Sequence, residues 1–389
     1  MRDQKQGRRP VQPDTSRLLL GRFLSSALEV GGTVLHIEPD RDGAKLRIRS
    51  GLELRQFHTL TREEYGEIWQ NLADRVGNEE LTPFYDGSFP FGINGRHCRI
   101  RVSLVPTPFG ESVTLKVNAR EDKVLGLERL GLSPTSLVQL RNLLARNRGL
   151  LVVAAPPGSG GTTTWVSIME SLCDGTRKVV SIEDPIEVSL EGVQQIQIKS
   201  VRDCPDRSVT FERALRSVLL QDPDVLGISL LKDLSSGHAA LSGALAGSLT
   251  VTRVHAYSAT LALGRLLQLG IESTLLSDCL AAVLAQSLVR KNCPACSQPD
   301  PNRNLEGLKG KSSRGKGCEQ CHGTGFSGLV AVFELLINST PIAKLIEDRR
   351  SGREIEGQAR IEGMTPRASV VRTMVESGEV PLTEYLRIL

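Results

Sequence analysis

Leu150-Leu151-Val152-Val153-Ala154-Ala155-Pro156-Pro157-Gly158-Ser159-Gly160-Gly161-Thr162-Thr163-Thr164 reads as a strand, a glycine-rich turn and the start of a helix. A continuous apolar run such as LLVVAA suits a parallel strand covered on both faces. A phosphate-binding loop of the form GxxxxGK[ST] stands between such a strand and such a helix. Its backbone N–H groups cradle phosphates, its lysine reaches the outer ones, and its hydroxyl binds magnesium. Here the hydroxyl position holds Thr162, the first glycine is Ala155 and the lysine is Gly161. Gly158, Ser159, Gly160, Gly161, Thr162 and Thr163 are therefore the candidate phosphate contacts. By pattern alone, a Gly-Ser-rich turn of this kind is most often only a turn.

The surroundings carry the same rhythm. SPTSLVQLRNLLARNRG, from Ser133, predicts a capped helix ending at Gly149. KVVSIED, IQIKS, PDVLGISLL and LTVTRVH repeat the strand signal with helical stretches between them. That alternation predicts an α/β domain with a parallel sheet and helices on both faces. After Cys321 the chain is expected to return to helices.

Upstream the pattern differs. TVLHIEP and AKLRIRS are short strands around the turn Asp40-Arg41-Asp42-Gly43, and REEYGEIWQNLADRV has helical spacing. HCRIRVSLVP and ESVTLKV alternate apolar and polar residues around a turn at Thr107-Pro108-Phe109-Gly110. The expected organisation is a basic, disordered lead-in over 1–17, an α+β domain over 18–119, a hinge over 120–133, and the α/β domain over 134–389. The lead-in lacks an apolar core, so it is not a secretory signal.

Lys+Arg 48 against Asp+Glu 44 leaves a net charge of +4 with the two signs interleaved, which argues against a nucleic-acid partner. No apolar run reaches the roughly 18 residues needed to span a bilayer, so no transmembrane segment is expected.

Cysteine usage is uneven. Cys98, Cys173, Cys204 and Cys279 stand singly, whereas Cys293, Cys296, Cys318 and Cys321 form two C-x-x-C pairs within 293–321. Two such knuckles supply the four thiolates of a closed tetrahedral zinc site. A closed site leaves no open ligand position, so the expected zinc is structural. The alternatives are a redox pair or unrelated cysteines.

Longer stretches go beyond these patterns. LERLGLSPTSLVQLRNLLARNRGLLVVAAPPGSGGTTT, IEDPIE at 182–187, ALRSVLLQDPDV at 214–225, VHAYSATLALGRLLQLGIE at 254–272 and CEQCHGTGFSG at 318–328 resemble the motor ATPases of type II secretion and type IV pilus assembly, of the E/B type. HIEP at 36–39 and RVSLVPTPFGESV at 101–113 resemble their N-terminal domain. The likeness runs from roughly residue 32 to residue 336.

The resemblance implies a RecA-like P-loop domain with a small tetracysteine insertion. It implies ATP and magnesium as ligands beside the structural zinc, and a ring of six subunits, formed with itself or with paralogues. It also implies a cytoplasmic place, held at the inner membrane by platform proteins of a secretion or pilus machine. It assigns an acidic box to Glu183 and Glu187, a histidine-box residue to His255, and phosphate-directed arginines to Arg96 and Arg101. Glu183 and Glu187 also read as solvated loop acids, and His255 as a packed or capping histidine.

Departures from the family fall on the chemistry. A glycine and a water-orienting glutamate are replaced by Ser229 and Leu230, a histidine by Ser248, and an arginine of the N-terminal domain by Lys116. A leucine neither accepts a proton nor aligns a water. The sequence thus predicts a catalytically impaired subunit with a structural or regulatory role, whose site keeps features for binding nucleotide. The alternatives are an active ATP-hydrolysing motor and a zinc-bearing interaction module. A lysine restored at 161 alone is expected to tighten ATP by up to about 1.5–3 kcal/mol, the range for a hydrogen bond to a charged group.

Overall fold

A computed structural model describes residues 19–29, 32–50, 53–76, 84–93, 96–119, 124–198, 208–300 and 312–389. The lead-in over 1–17 and Cys204 lie outside the described residues. The chain divides into two compact units, Met1–Asp122 and Lys123–Leu389.

Among the described residues, the first unit holds a six-stranded antiparallel sheet and two helices. Helix α1 is Leu19–Glu29, followed by β1 (Val34–Pro39), β2 (Gly43–Ser50), β3 (Glu53–Thr61), α2 (Arg62–Val76), β4 (Asp86–Ile93), β5 (Arg96–Thr107) and β6 (Gly110–Ala119). The strand order is β3-β2-β1-β6-β5-β4. Leu35, Ile37, Leu46, Ile100, Val102 and Leu115 point to one face and bury against Leu20 and Leu24 of α1 and Ile68 and Leu72 of α2. This is the period-2 alternation of half-buried strands.

The second unit opens with α3 (Pro134–Leu144), capped by the Ser133 side chain accepting from the Ser136 N–H at 3.1 Å. The sheet strands are β7 (Gly149–Ala154), β8 (Val179–Glu183), β9 (Val193–Gln197), β10 (Val225–Ile228), β11 (Leu249–Val254), β12 (Leu280–Asn292) and, beyond a short ribbon of β13 (Ser297–Pro299) and β14 (Ser313–Gly315), β15 (Phe326–Ile337). Helices α4 (Gly161–Ser171), α5 (Phe211–Leu219), α6 (Leu234–Leu245), α7 (Ala259–Gln268) and α8 (Ser273–Cys279) connect them, and α9 (Thr340–Glu347), α10 (Gly352–Ile361), α11 (Arg367–Glu376) and α12 (Leu382–Ile388) follow β15. The order is β15-β12-β7-β11-β10-β8-β9. All neighbours pair in parallel except β15, which runs antiparallel to β12.

Strand β7 shows why the apolar run is continuous. Leu150, Val152 and Ala154 enter one core, with α6 and α7. Leu151 and Val153 enter the other, with α3 and α4. Both faces of the strand are covered.

Two expectations need correction, and one strand was passed over in the sequence. The stretch after Cys321 does not return directly to helix, because Phe326–Ile337 first forms β15. Leu280–Asn292, rich in Ala and Leu, is a sheet strand. The third strand begins at Val193, three residues before the IQIKS reading. A further difference concerns 120–133: Leu127 and Leu130 are buried in the α3/α4 core, so from Val124 onward the segment packs with the second unit.

Candidate functional site

The carboxyl ends of β7, β8, β10 and β11 lie in register along one edge of the sheet. Ala154 pairs with Val254, Thr252 with Ile228, and Ile228 with Ile182. Open α/β sheets bind their ligands outside such an edge. The loop after β7, Glu183, Ser229, Leu230 and Arg253 all gather there.

Glycines let the loop fold tightly. Gly158 and Gly160 have φ of 77° and 84°, a region costly for residues with a Cβ. The Ser159 hydroxyl donates to the Pro156 carbonyl at 2.7 Å. No side chain caps α4, whose N-cap is Gly160, so its first backbone N–H groups stay open to an anion. Gln286 of β12, which is buried, donates from Nε2 to the Ser159 carbonyl at 2.7 Å and accepts from the Thr164 hydroxyl at 2.5 Å. It fixes the loop from the neighbouring strand. Sequence reading passed over Gln286; the available signal was one amide in the apolar run LAAVLAQSLV.

The lysine position is closed. A Cβ built on Gly161 would stand 2.5 Å from the Ala155 Cβ and 3.9 Å from Arg253 Cδ. The expectation that a lysine at 161 would act alone is therefore corrected: the Ala155 methyl occupies the space that its first carbon needs.

Arg253, also missed in the sequence, reaches into this space from β11. Its Nη1 donates to the Thr162 hydroxyl and its Nε to the Ser229 carbonyl. Its guanidinium carbon lies 6.0 Å from the Trp165 ring centroid, and Trp165 is itself held by an Nε1–H bond to the Val251 carbonyl at 3.1 Å. Burial lowers the Arg253 pKa, opposed by the charges of Glu187 and then Glu183. The Thr162 oxygen is the one that would meet magnesium. Charges of +1 and +2 about 4 Å apart repel by on the order of 8 kcal/mol at an effective dielectric of about 20, which the charges of Glu187 and Glu183 offset only in part. As arranged, these residues do not fit a magnesium ion on Thr162.

The acidic box splits in two. Glu183 is buried and accepts at Oε1 from the Ser181 hydroxyl and from Gln195 Nε2, both at 2.7 Å. Burial raises its pKa above the usual carboxylate range, against those hydrogen bonds and the Arg253 charge. Glu187 is half-buried, near enough for its charge to act on Arg253 and Glu183. Leu230 follows β10 between two ties to Arg253: the Ser229 carbonyl accepts from Arg253 Nε, and the Leu231 N–H donates to the Arg253 carbonyl at 2.8 Å.

His255 follows β11, with Nδ1 3.1 Å from the Ala155 carbonyl. Ser248 lies at the opposite end of β11, where its hydroxyl donates to the Pro223 carbonyl at 2.7 Å, so the two histidine-box positions are not brought together. Arg96 and Arg101 belong to the first unit. Arg96 opens β5, and Arg101 lies exposed on β5 opposite Lys116 of β6.

The tetracysteine cluster is compact. The Sγ atoms of Cys293, Cys296, Cys318 and Cys321 lie within 4.8 Å of one another. Individual separations are 3.9 Å for Cys293–Cys318, 3.8 Å for Cys296–Cys321 and 3.7 Å for Cys318–Cys321. A tetrahedron of zinc–sulfur bonds near 2.3 Å has edges of about 3.8 Å, so this group could hold a metal. Backbone N–H groups of Cys318 and Gly325 point at Cys321 Sγ at 3.2 Å, and that of Gly317 at Cys296 Sγ at 3.3 Å. Burial raises the Cys321 pKa, but the Cys318 and Gly325 N–H groups outweigh it and bring it to about 6.

Residues 11–387 match the family described as Type II/IV secretion system protein. The chain belongs to that family. Type II secretion system protein E of Pseudomonas aeruginosa is 32% identical over 380 residues, covering 95% of this chain and 74% of that protein. Type II secretion system protein HxcR of the same organism is 31% identical over 373 residues, covering 95% and 76%. Among solved structures, the pilus retraction motor PilT with bound ADP superposes with a TM-score of 0.63 at 21% identity, covering 95% of this chain and 96% of that one. The ATPase DotB of Legionella pneumophila gives 0.68 at 16% identity, covering 97% of each. These likenesses show a shared fold. Among the described residues of this secretion-family chain, no helix is long and apolar enough to cross a membrane.

Proposed function

We propose that this chain is a subunit of a type II secretion or type IV pilus-assembly motor, one that binds nucleotide through the loop at 155–162 and hydrolyses it slowly or not at all. The carrying observation is Leu230, which follows β10 at the sequence position where the family resemblance puts a water-orienting acid. Removing one preorganised transition-state group costs on the order of 10²–10³ in rate. Here the phosphate lysine is absent as well, and such losses do not simply multiply.

Support for nucleotide binding is the uncapped N-terminus of α4 and the left-handed glycines of its loop. The pilus retraction motor of similar fold was solved with ADP. In this reading the cysteine cluster holds a structural zinc. The chain sits in a six-membered ring, alone or with paralogues, on the cytoplasmic side of an inner-membrane platform. Glu183 and Glu187 act as the acidic box and His255 as a contact to the loop.

ATP binding and steady-state turnover of the purified chain test the reading. The expected result is measurable binding with turnover at background. Turnover of about 1 per second or more, abolished in Glu183→Gln, would replace it with an active motor.

A further inference from the structure

We infer that Arg253 is this chain's own phosphate cation, standing in for the lysine absent at 161, and that the site takes a nucleoside polyphosphate without a divalent metal. The inference rests on the nucleotide reading of the loop and specifies how that site works.

Position is the first argument. A side chain at 161 would begin 3.9 Å from Arg253 Cδ, so the arginine stem passes beside the origin of the missing lysine. It comes from β11 and ends beside the first turn of α4.

Anchoring is the second. Nε and Nη1 each donate one hydrogen bond, to the Ser229 carbonyl and the Thr162 hydroxyl. Two points of attachment and the Trp165 ring fix the guanidinium plane before any ligand arrives. A fixed cation at a phosphate site loses less freedom on binding than a free one.

Unspent capacity is the third. A guanidinium carries five N–H donors. Two are used, and Nη2 is not among the sealed, unpartnered atoms, so it remains accessible. Among the described residues, no carboxylate lies within 4.0 Å of Arg253. Glu187 and Glu183 act on Arg253 only through their charge, without an ion pair, and a partly buried cation so placed next to open helix N–H groups is a seat for an anion.

The metal follows from the same bond. Thr162 would offer its hydroxyl to magnesium in a loop of this form. Here that oxygen already accepts from a cation. Arg253 and a dication on Thr162 exclude one another, so the arginine site is a metal-free one.

The test measures binding of ATP, ADP and inorganic pyrophosphate to the full chain by calorimetry, in EDTA and again in excess magnesium. Affinities in the two conditions should agree within about threefold. Arg253→Met should weaken all three ligands by about tenfold or more, and Arg253→Lys should recover part of the loss. Thermal melting and zinc content of each variant report folding independently. Thr162→Val should leave binding equally indifferent to magnesium. The inference is overturned if magnesium is required and folded Arg253→Met binds as well as the parent. Should the parent bind no phosphate ligand in either condition, the nucleotide reading of the loop falls, and this assignment with it. Should Arg253→Met fail to fold, an Arg253→Lys protein that folds but binds better in magnesium than in EDTA by tenfold or more still decides against the metal-free site.

Discussion

The Cβ of Ala155 fills the space in which a Cβ on Gly161 would stand, 2.5 Å away. The two positions are reciprocal: only one of them carries a side chain. In the phosphate-loop pattern the first position is glycine and the later one lysine. This chain has alanine and glycine, the opposite arrangement of bulk, and the loop remains well packed.

A stability cycle tests this. Gly161 opens α4 with an ordinary helical backbone, so Gly161→Ala should gain about 0.5–1 kcal/mol from helix propensity if space were free. Overpacking against Ala155 instead should cost about 1–3 kcal/mol. Ala155→Gly combined with Gly161→Ala should recover most of that loss. Urea unfolding of the four proteins in the cycle reads the coupling. Additive effects would show that the two side chains do not compete.

Metal content is the next expectation. Protein purified without chelator should carry about one zinc per chain, and Cys318→Ser should release it. Because metal binding and local folding are linked, loss of zinc should lower the melting temperature and expose the ribbon of β13 and β14 to protease. Zinc-free protein with an unchanged melting profile would remove the metal from this account.

Two buried glutamates should respond to pH in opposite directions. Burial raises Glu183, so its contribution is fully present below the ordinary glutamate pKa of about 4.3 and is lost as pH rises through the folded value. Glu183→Gln should therefore stabilise the protein near neutrality and do little in acid. Glu384 has no exposed side-chain surface; burial pushes its pKa up, but hydrogen bonds from Arg387 and Arg290 win and lower it. Its contribution is present above about 4.3 and is lost as pH falls through the folded value. Glu384→Gln should cost about 3–5 kcal/mol at neutral pH by removing the buried charge that Arg290 and Arg387 pair with, and less in acid. Denaturation curves at several pH values check both signs.

The strand, loop and helix around 150–164 were legible because local pattern and tertiary role agree. An apolar run covered on both faces needs no alternation, and only a glycine turn leads from it to a helix. β12 was not legible for the opposite reason. Its Ala, Leu and Gln residues favour helix, but its place between β7 and β15 overrides that preference. Arg253 was hidden differently. In TVTRVH it reads as one polar residue of a strand. Only the register, which puts it beside the loop that lacks a lysine, gives it a role. The cysteines were legible from spacing alone, since each C-x-x-C forms its own knuckle.

Restoring catalysis should need every obstacle removed together. Gly161→Lys alone should fail, because Ala155 crowds its Cβ and Arg253 already places a cation there. Leu230→Glu alone should also fail, because Arg253 remains on Thr162 and its charge repels magnesium from that oxygen. Ala155→Gly and Gly161→Lys supply the lysine, Arg253→Ala frees Thr162, and Leu230→Glu supplies the water-orienting acid. The fourfold variant should exceed any variant lacking one of these changes by on the order of 10² in ATP turnover, since positioning and charge act as a unit in phosphoryl transfer. It should also become magnesium-dependent. Single-turnover assays with and without magnesium are the measurement. A folded fourfold variant that binds ATP and remains at background would show that the defect lies outside these four positions.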